Sequence, residues 1–347
     1  MSIIQFESDV GKSQMKTIAK RLVQSLGYEV HKIRPSSTWR PPDREPREGK
    51  VFFPKPERIL KTTYPNLTLL ESLKASDFTQ SNIPEHEFLQ FRRLQSLIYS
   101  LRVAGYDVEA MQTEAFIGAV LYTNVNCEVA VTGCEYDFQV NDDVVSKISG
   151  RLPNLVWLTT NANIDHDRVK ALPIGITDYC GYSRYHSIIG DTQKLKNLID
   201  RQERTQKNLV LMNFNDNTNF EVRSRIRSLF KDRNFVTADT YTADSTGYAR
   251  YIQGLRSHPF CLAPAGNGID THRIWECLYA GCIPIVQKVT ALRDFNDLPI
   301  FFVDRWQEAC DATMLNKIRD EYYQKEWDLR KLTLSYWYQY VCRLLMA

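Results

Sequence analysis

A chain of 347 residues is long enough for two domains, and its 43% hydrophobic and 24% charged residues describe an ordinary soluble composition. The formal charge of +3 is too small for a nucleic-acid binder, whose domains concentrate far more positive charge. No stretch approaches the ~20 apolar residues of a spanning helix, and the opening "MSIIQFESDVGKSQMK" has no apolar core of signal-peptide length, so a cytoplasmic protein is expected.

Residues 14–32 place Met15, Ile18, Ala19, Leu22, Val23 and Leu26 at helical spacing, with Gly27 as a stop. A segment dense in proline and charge follows, so residues 1–62 read as a helix and a Pro-rich arm. The basic residues of the arm suit contact with substrate or peripheral contact with an anionic membrane. "EHEFLQFRRLQSLIYSLRVAG" (85–105) is an amphipathic helix, followed by strand candidates "AFIGAVLY" (115–122), "EVAVTG" (128–133) and "LVWLTT" (155–160). With "VKALPIGI" (169–176), they give a first Rossmann-like domain over 63–190, and a charged linker helix over 191–206 closes it.

A second unit over 207–312 repeats the rhythm: strand "KNLVLMNF", loop "NDNTN", helix "FEVRSRIRSLFKD", strand "FVTA", helix "YARYIQGLRS" and strand "PFCLAP". The tail, 313–347, reads as a long aromatic helix packing back on the first domain. Eight cysteines show neither a C-x-x-C pair nor zinc-ligand spacing, so reduced thiols are expected. Neither half has G-x-G-x-x-G after a first strand, which argues against a dinucleotide enzyme.

The chemistry concentrates where "PFCLAP" delivers the chain to "AGNGID". In open α/β sheets, ligands bind beyond the carboxyl ends of strands, where loops meet helix starts. Gly266 and Gly268 allow close backbone approach on either side of Asn267. Asp270 or Thr271 is a candidate N-cap for "THRIWECLYA", whose positive end attracts phosphate. On that helix Arg273 and Glu276 stand three residues apart, on one face. Arg273 can pair with a diphosphate in bidentate fashion, and ionised Glu276, an acceptor only, suits the two hydroxyls of a ribose. Alternatively, the pair is a surface salt bridge of little energetic weight.

The pattern "LAPAGNGIDTHRIWECLYAGCIPIV" (262–286) resembles the donor-site signature of GT-B glycosyltransferases, in particular the exostosin-like group, and more distantly the α1,3-fucosyltransferases. "VTGCEYDF", "PNLVWLTTNANIDHDRVKALPIGI" and "LVLMNFNDNTNFEVRSRIRSLF" extend the likeness over roughly residues 115–305. The resemblance implies two Rossmann-like α/β domains facing across a cleft, and an enzyme of glycan biosynthesis. It implies inverting, metal-independent transfer of a hexosyl or pentosyl group from a nucleotide-diphosphate sugar to a hydroxyl of a glycan acceptor, with no further cofactor.

In that scheme Arg273 stabilises the leaving diphosphate, with Arg223 as partner and Asn215 or Asn217 as loop donors. Asp137 is the favoured base and Glu135 the alternative, both just beyond a strand. His166 is a candidate for acceptor contact, although Asp165-His166-Asp167 also mimics the D-x-D of metal-dependent transferases. The competing reading is a non-catalytic carbohydrate- or nucleotide-binding protein on a transferase fold.

Overall fold

The computed structural model describes residues 67–80, 82–123, 125–133, 140–181, 183–242 and 244–346. All of these lie within one compact unit, Phe53–Ala347. The expected helix at 14–32, the Pro-rich arm, Glu135 and Asp137 lie outside the described residues.

Helices α1 (Leu67–Ser72) and α2 (Phe91–Val103) lead into β1 (Val108–Gln112). There follow α3 (Thr113–Tyr122), β2 (Val129–Gly133), α4 (Asp142–Ser149), β3 (Val156–Thr159) and β4 (Val169–Ala171). The four strands form a parallel sheet in the order β1-β2-β3-β4. β2 is buried along its whole length, as expected of an apolar, β-branched strand covered on both faces. α2 buries Phe91, Leu94, Ile98 and Leu101, the stripe its spacing calls for.

The chain continues through α5 (His186–Ile189), α6 (Thr192–Arg201), β5 (Val210–Met212), α7 (Phe220–Phe230) and β6 (Val236–Ala238). Next come α8 (Ser245–Ser257), β7 (Phe260–Leu262), α9 (His272–Tyr279), β8 (Ile283–Gln287) and β9 (Phe301–Val303). These five strands form a second parallel sheet, in the order β6-β5-β7-β8-β9. Helices α10 (Ala312–Gln324) and α11 (Leu334–Leu344) end the chain. α9 stops as its sequence indicates: Gly281, at φ +72°, donates to the Leu278 carbonyl while Cys282 donates to that of Cys277. This is a Schellman closure, which needs a left-handed residue at the turn.

Two expectations fail. Residues 115–122, read as a strand, belong to α3, whose Phe116, Ile117 and Val120 form a buried helical stripe. The strand is the preceding β1. The tail is two helices rather than one. Backbone pairing of Trp327 with Ser76 breaks it, at 3.0 and 2.9 Å, and Thr333 caps a new helix through Tyr336 N. α11 does pack back on the first half: buried Glu87, just before α2, accepts from Ser335 N at 3.0 Å and Ser335 Oγ at 2.5 Å. Among the described residues seven cysteines are free, and no helix is long and apolar enough to cross a membrane.

Candidate functional site

A cavity of about 470 Å³ is lined from both sheets. Gly133 at the end of β2, Thr160 after β3 and, farther along, Ile174, Thr177, Tyr185 and Ile189 lie on one side. The loop after β5, the Gly-rich loop after β7 and the first turns of α9 form the other. Both sheets thus present strand carboxyl ends to one space, the usual ligand position in parallel α/β sheets.

Asn215, Arg223, Gly266, Asn267, Gly268, Asp270, Thr271, Arg273 and Glu276, expected from sequence, all line this cavity. Their roles divide. Thr271 is the N-cap residue of α9, but its side chain makes no cap bond; its Oγ1 is buried without a partner. Arg273 Nε and Nη1 are likewise buried and unpartnered, and its guanidinium lies 4.9 Å from the centre of the Tyr251 ring. Burial works against the Arg273 charge, yet Tyr251, Cys261 and Glu276 beside it outweigh this and raise its pKa. Buried polar groups without partners carry a desolvation cost, and these converge on one cavity.

Glu276 is buried and accepts from Tyr248 Oη at 3.4 Å and Tyr251 Oη at 3.1 Å. Burial raises its pKa, opposed by Arg273 and by both tyrosine hydroxyls. The pair at 273 and 276 is therefore no surface salt bridge. Tyr185, at the cavity wall, is pushed up to about 12 by burial and by the negative charge of Glu276.

Arg223 spends its donors on the protein itself. Its Nε donates to Ala265 O at 2.9 Å, Nη1 to Asn215 O at 2.7 Å and Nη2 to Pro264 O at 3.2 Å. It braces two loops, and burial and the Arg273 charge push it down to about 10. Asn215 uses its Oδ1 on Asn217 N, at 3.0 Å, to shape the turn. The glycines are needed first by the protein itself. A β-carbon at Gly266 would stand 2.8 Å from Arg223 Nη2, and one at Gly268 would stand 2.9 Å from Asn161 Nδ2.

Asp270 is a structural clasp. Its Oδ2 accepts from Ile174 N at 2.7 Å and its Oδ1 from Trp275 Nε1 at 2.8 Å, while its own amide donates to Asn161 Oδ1 at 2.9 Å. His272 Nδ1 adds a bond to the Gly175 carbonyl at 2.8 Å. These bonds tie the Gly-rich loop to the loops of the first sheet.

Burial pushes the Asp270 carboxyl up from 3.8 to about 7. Because the folded value lies above the ordinary one, its stabilising contribution is complete below about pH 4 and lost as pH rises to about 7. The stability of the wild type relative to Asp270→Asn, from urea unfolding, should therefore decline over that window and level off above it. A difference flat with pH would show an ordinary carboxylate.

His166 is not at this site. The chain runs back from the end of β3, and His166 pairs with Val169 at the start of β4, which is the opposite end of the strand. Its Nδ1 accepts from Arg168 N at 3.2 Å, and neighbouring Asp165 lies 3.6 Å from Arg293. Among the described residues, no three His, Cys, Asp or Glu side chains cluster as metal ligands do. Sequence reasoning missed Tyr185, Tyr241, Tyr248 and Tyr251, all lining the cavity. Tyr248 and Tyr251 carried a usable signal, the same three-residue helical spacing as Arg273 and Glu276.

No curated protein matches the chain. Residues 185–310 match the family model of the Exostosin GT47 domain. This segment holds the Gly-rich loop, both residues of the α9 pair and all four tyrosines, on a parallel α/β scaffold of GT-B-like kind. Over residues 185–310 the chain is thus similar to the exostosin glycosyltransferase domain.

Proposed function

We propose that the protein transfers a hexosyl or pentosyl unit from a nucleoside-diphosphate sugar to a hydroxyl of a glycan or glycoconjugate, with inversion and without a metal ion. The two sheets then act as the facing halves of a GT-B cleft, the second holding the donor. One observation carries this reading: Arg273 and Thr271, which line the cavity together with Glu276 at the start of a helix, hold Nε, Nη1 and Oγ1 buried without partners. A diphosphate would satisfy those donors, and the helix dipole favours its charge.

In the transfer, the acceptor oxygen bonds to the anomeric carbon as the bond from that carbon to the diphosphate oxygen breaks. The electron pair leaves with the nucleoside diphosphate, and Arg273 meets the charge. The hydroxyl proton passes to a carboxylate, for which Asp137 is the first candidate and Glu135 the second. Gly133, the last residue of β2, lines the cavity. A cytoplasmic setting, with the basic N-terminal arm available for peripheral membrane contact, completes the proposal.

UDP and GDP should be tested by thermal shift. At ~100-fold over Kd the bound form gains about 2.7 kcal/mol, read as a rise of several degrees. Glu276→Ala should shrink that rise while leaving the unliganded protein folded. No shift with either nucleotide would sink the reading. Loss of sugar from one member of a nucleotide-sugar panel, persisting in EDTA, would separate an enzyme from a binding protein.

A further inference from the structure

A carboxylate buried in protein tends to take up a proton, and a protonated carboxyl turns one of its oxygens into a donor and accepts more weakly at both. Glu276 faces this difficulty, and the groups around it come from three elements. Arg273 lies one turn before it on α9. Tyr248 and Tyr251, one turn apart on α8, each give a hydroxyl to a different carboxylate oxygen: Tyr248 to Oε1 and Tyr251 to Oε2. Tyr185, just before α5, adds its ring at the cavity wall and senses the charges of both Glu276 and Arg273. Farther out, Asp191 acts on Tyr248, and Cys261 and Cys277 on Tyr251.

We propose that Tyr248 and Tyr251 are positioning residues for the donor: they hold Glu276 ionised and aimed, so that each carboxylate oxygen keeps a lone pair for one hydroxyl of a vicinal diol. This rests on the nucleotide-sugar reading of the same cavity and narrows it to ribonucleotides. An ionised carboxylate has about four acceptor positions, and the two tyrosines occupy one on each oxygen. The Arg273 guanidinium, 4.9 Å from the centre of the Tyr251 ring, helps fix that ring. A site built to bond a substrate hydroxyl discriminates against analogues that lack it.

The test measures calorimetric affinity for UDP, GDP and their 2′-deoxy forms between pH 5.5 and 8.5. The proteins compared are wild type, Tyr251→Phe, Tyr248→Phe and Glu276→Gln. Losing a hydroxyl bond to a charged group moves the acid limb of ribonucleotide binding up by about one pH unit in Tyr251→Phe. Binding is then weaker by up to about tenfold on the acid side of that limb and nearly unchanged on its alkaline side. The Tyr248 variant, with the longer bond, shifts less. Glu276→Gln binds weakly at every pH, and the wild type prefers ribo over 2′-deoxy by about tenfold or more.

Melting curves without ligand report any loss of fold. Should Tyr248→Phe unfold, Tyr251→Phe alone decides. A phenylalanine variant with wild-type affinity and pH profile overturns the positioning role, as does equal binding of ribo and deoxy forms. Failure of the wild type to bind either ribonucleotide instead removes the donor reading itself.

Discussion

Arg273→Ala is expected to lower kcat/KM for glycosyl transfer by about 10² to 10³-fold, the scale seen when a single group that stabilises leaving charge is removed. Arg273 lines the cavity and two of its guanidinium nitrogens are buried and unpartnered, donors that a bound diphosphate would satisfy. The substitution also removes the positive charge that opposes protonation of Glu276, so nucleotide affinity falls along with turnover. Arg273→Lys separates charge from geometry: a lysine restores the charge but not the planar fork, and should recover only part of the loss. The melting temperature of the free protein should move far less than the shift induced by nucleotide. Activity within tenfold of wild type in Arg273→Ala would mean that the leaving group lies elsewhere.

Gly175→Ala is expected to cost about 3–4 kcal/mol of stability, read as a lowered urea midpoint with an unchanged slope. Gly175 sits at φ +68°, and a β-carbon there would stand 2.2 Å from the Leu89 carbonyl oxygen. The left-handed conformation alone costs an alanine about 1–2 kcal/mol. The clash cannot relax cheaply, because the same carbonyl accepts from Ile176 N at 2.9 Å. Displacing this turn also moves the Ile174 amide and the Gly175 carbonyl, which hold Asp270 and His272. The nucleotide-induced shift should therefore weaken too. A loss under 1 kcal/mol would contradict this backbone path.

The Gly-rich loop and its helix were legible because several local signals agree there. An apolar run gives β7, a helical period with a glycine stop gives α9, and the Arg/Glu spacing survives any small error of boundary. The first sheet was harder to read. β1 hides a buried Glu109 paired with Arg102, a polar residue that spoils an apolar strand signal. α3 is apolar enough that a short window does not separate helix from strand. Arg223 and Asp270 were located but their bonds within the protein were not, since braces to distant carbonyls and amides leave no trace in local spacing. The tyrosines of α8 looked like core residues, and in part they are. Their hydroxyls matter because of a carboxylate 25 and 28 residues away.

The recognisable stretch is smaller than the working one. A fragment trimmed to residues 185–310 would keep Arg273 and Glu276 yet lose Ile174, Asn161 and Gly175, which anchor the start of their helix. It would also lose Leu89 and Leu332, between which Tyr279 suspends the helix's far end through its hydroxyl, at 2.9 and 2.6 Å. Such a truncated piece would keep the right letters without the outside supports at either end of that rod, and grafting or expressing it alone should give a polypeptide blind to nucleotide.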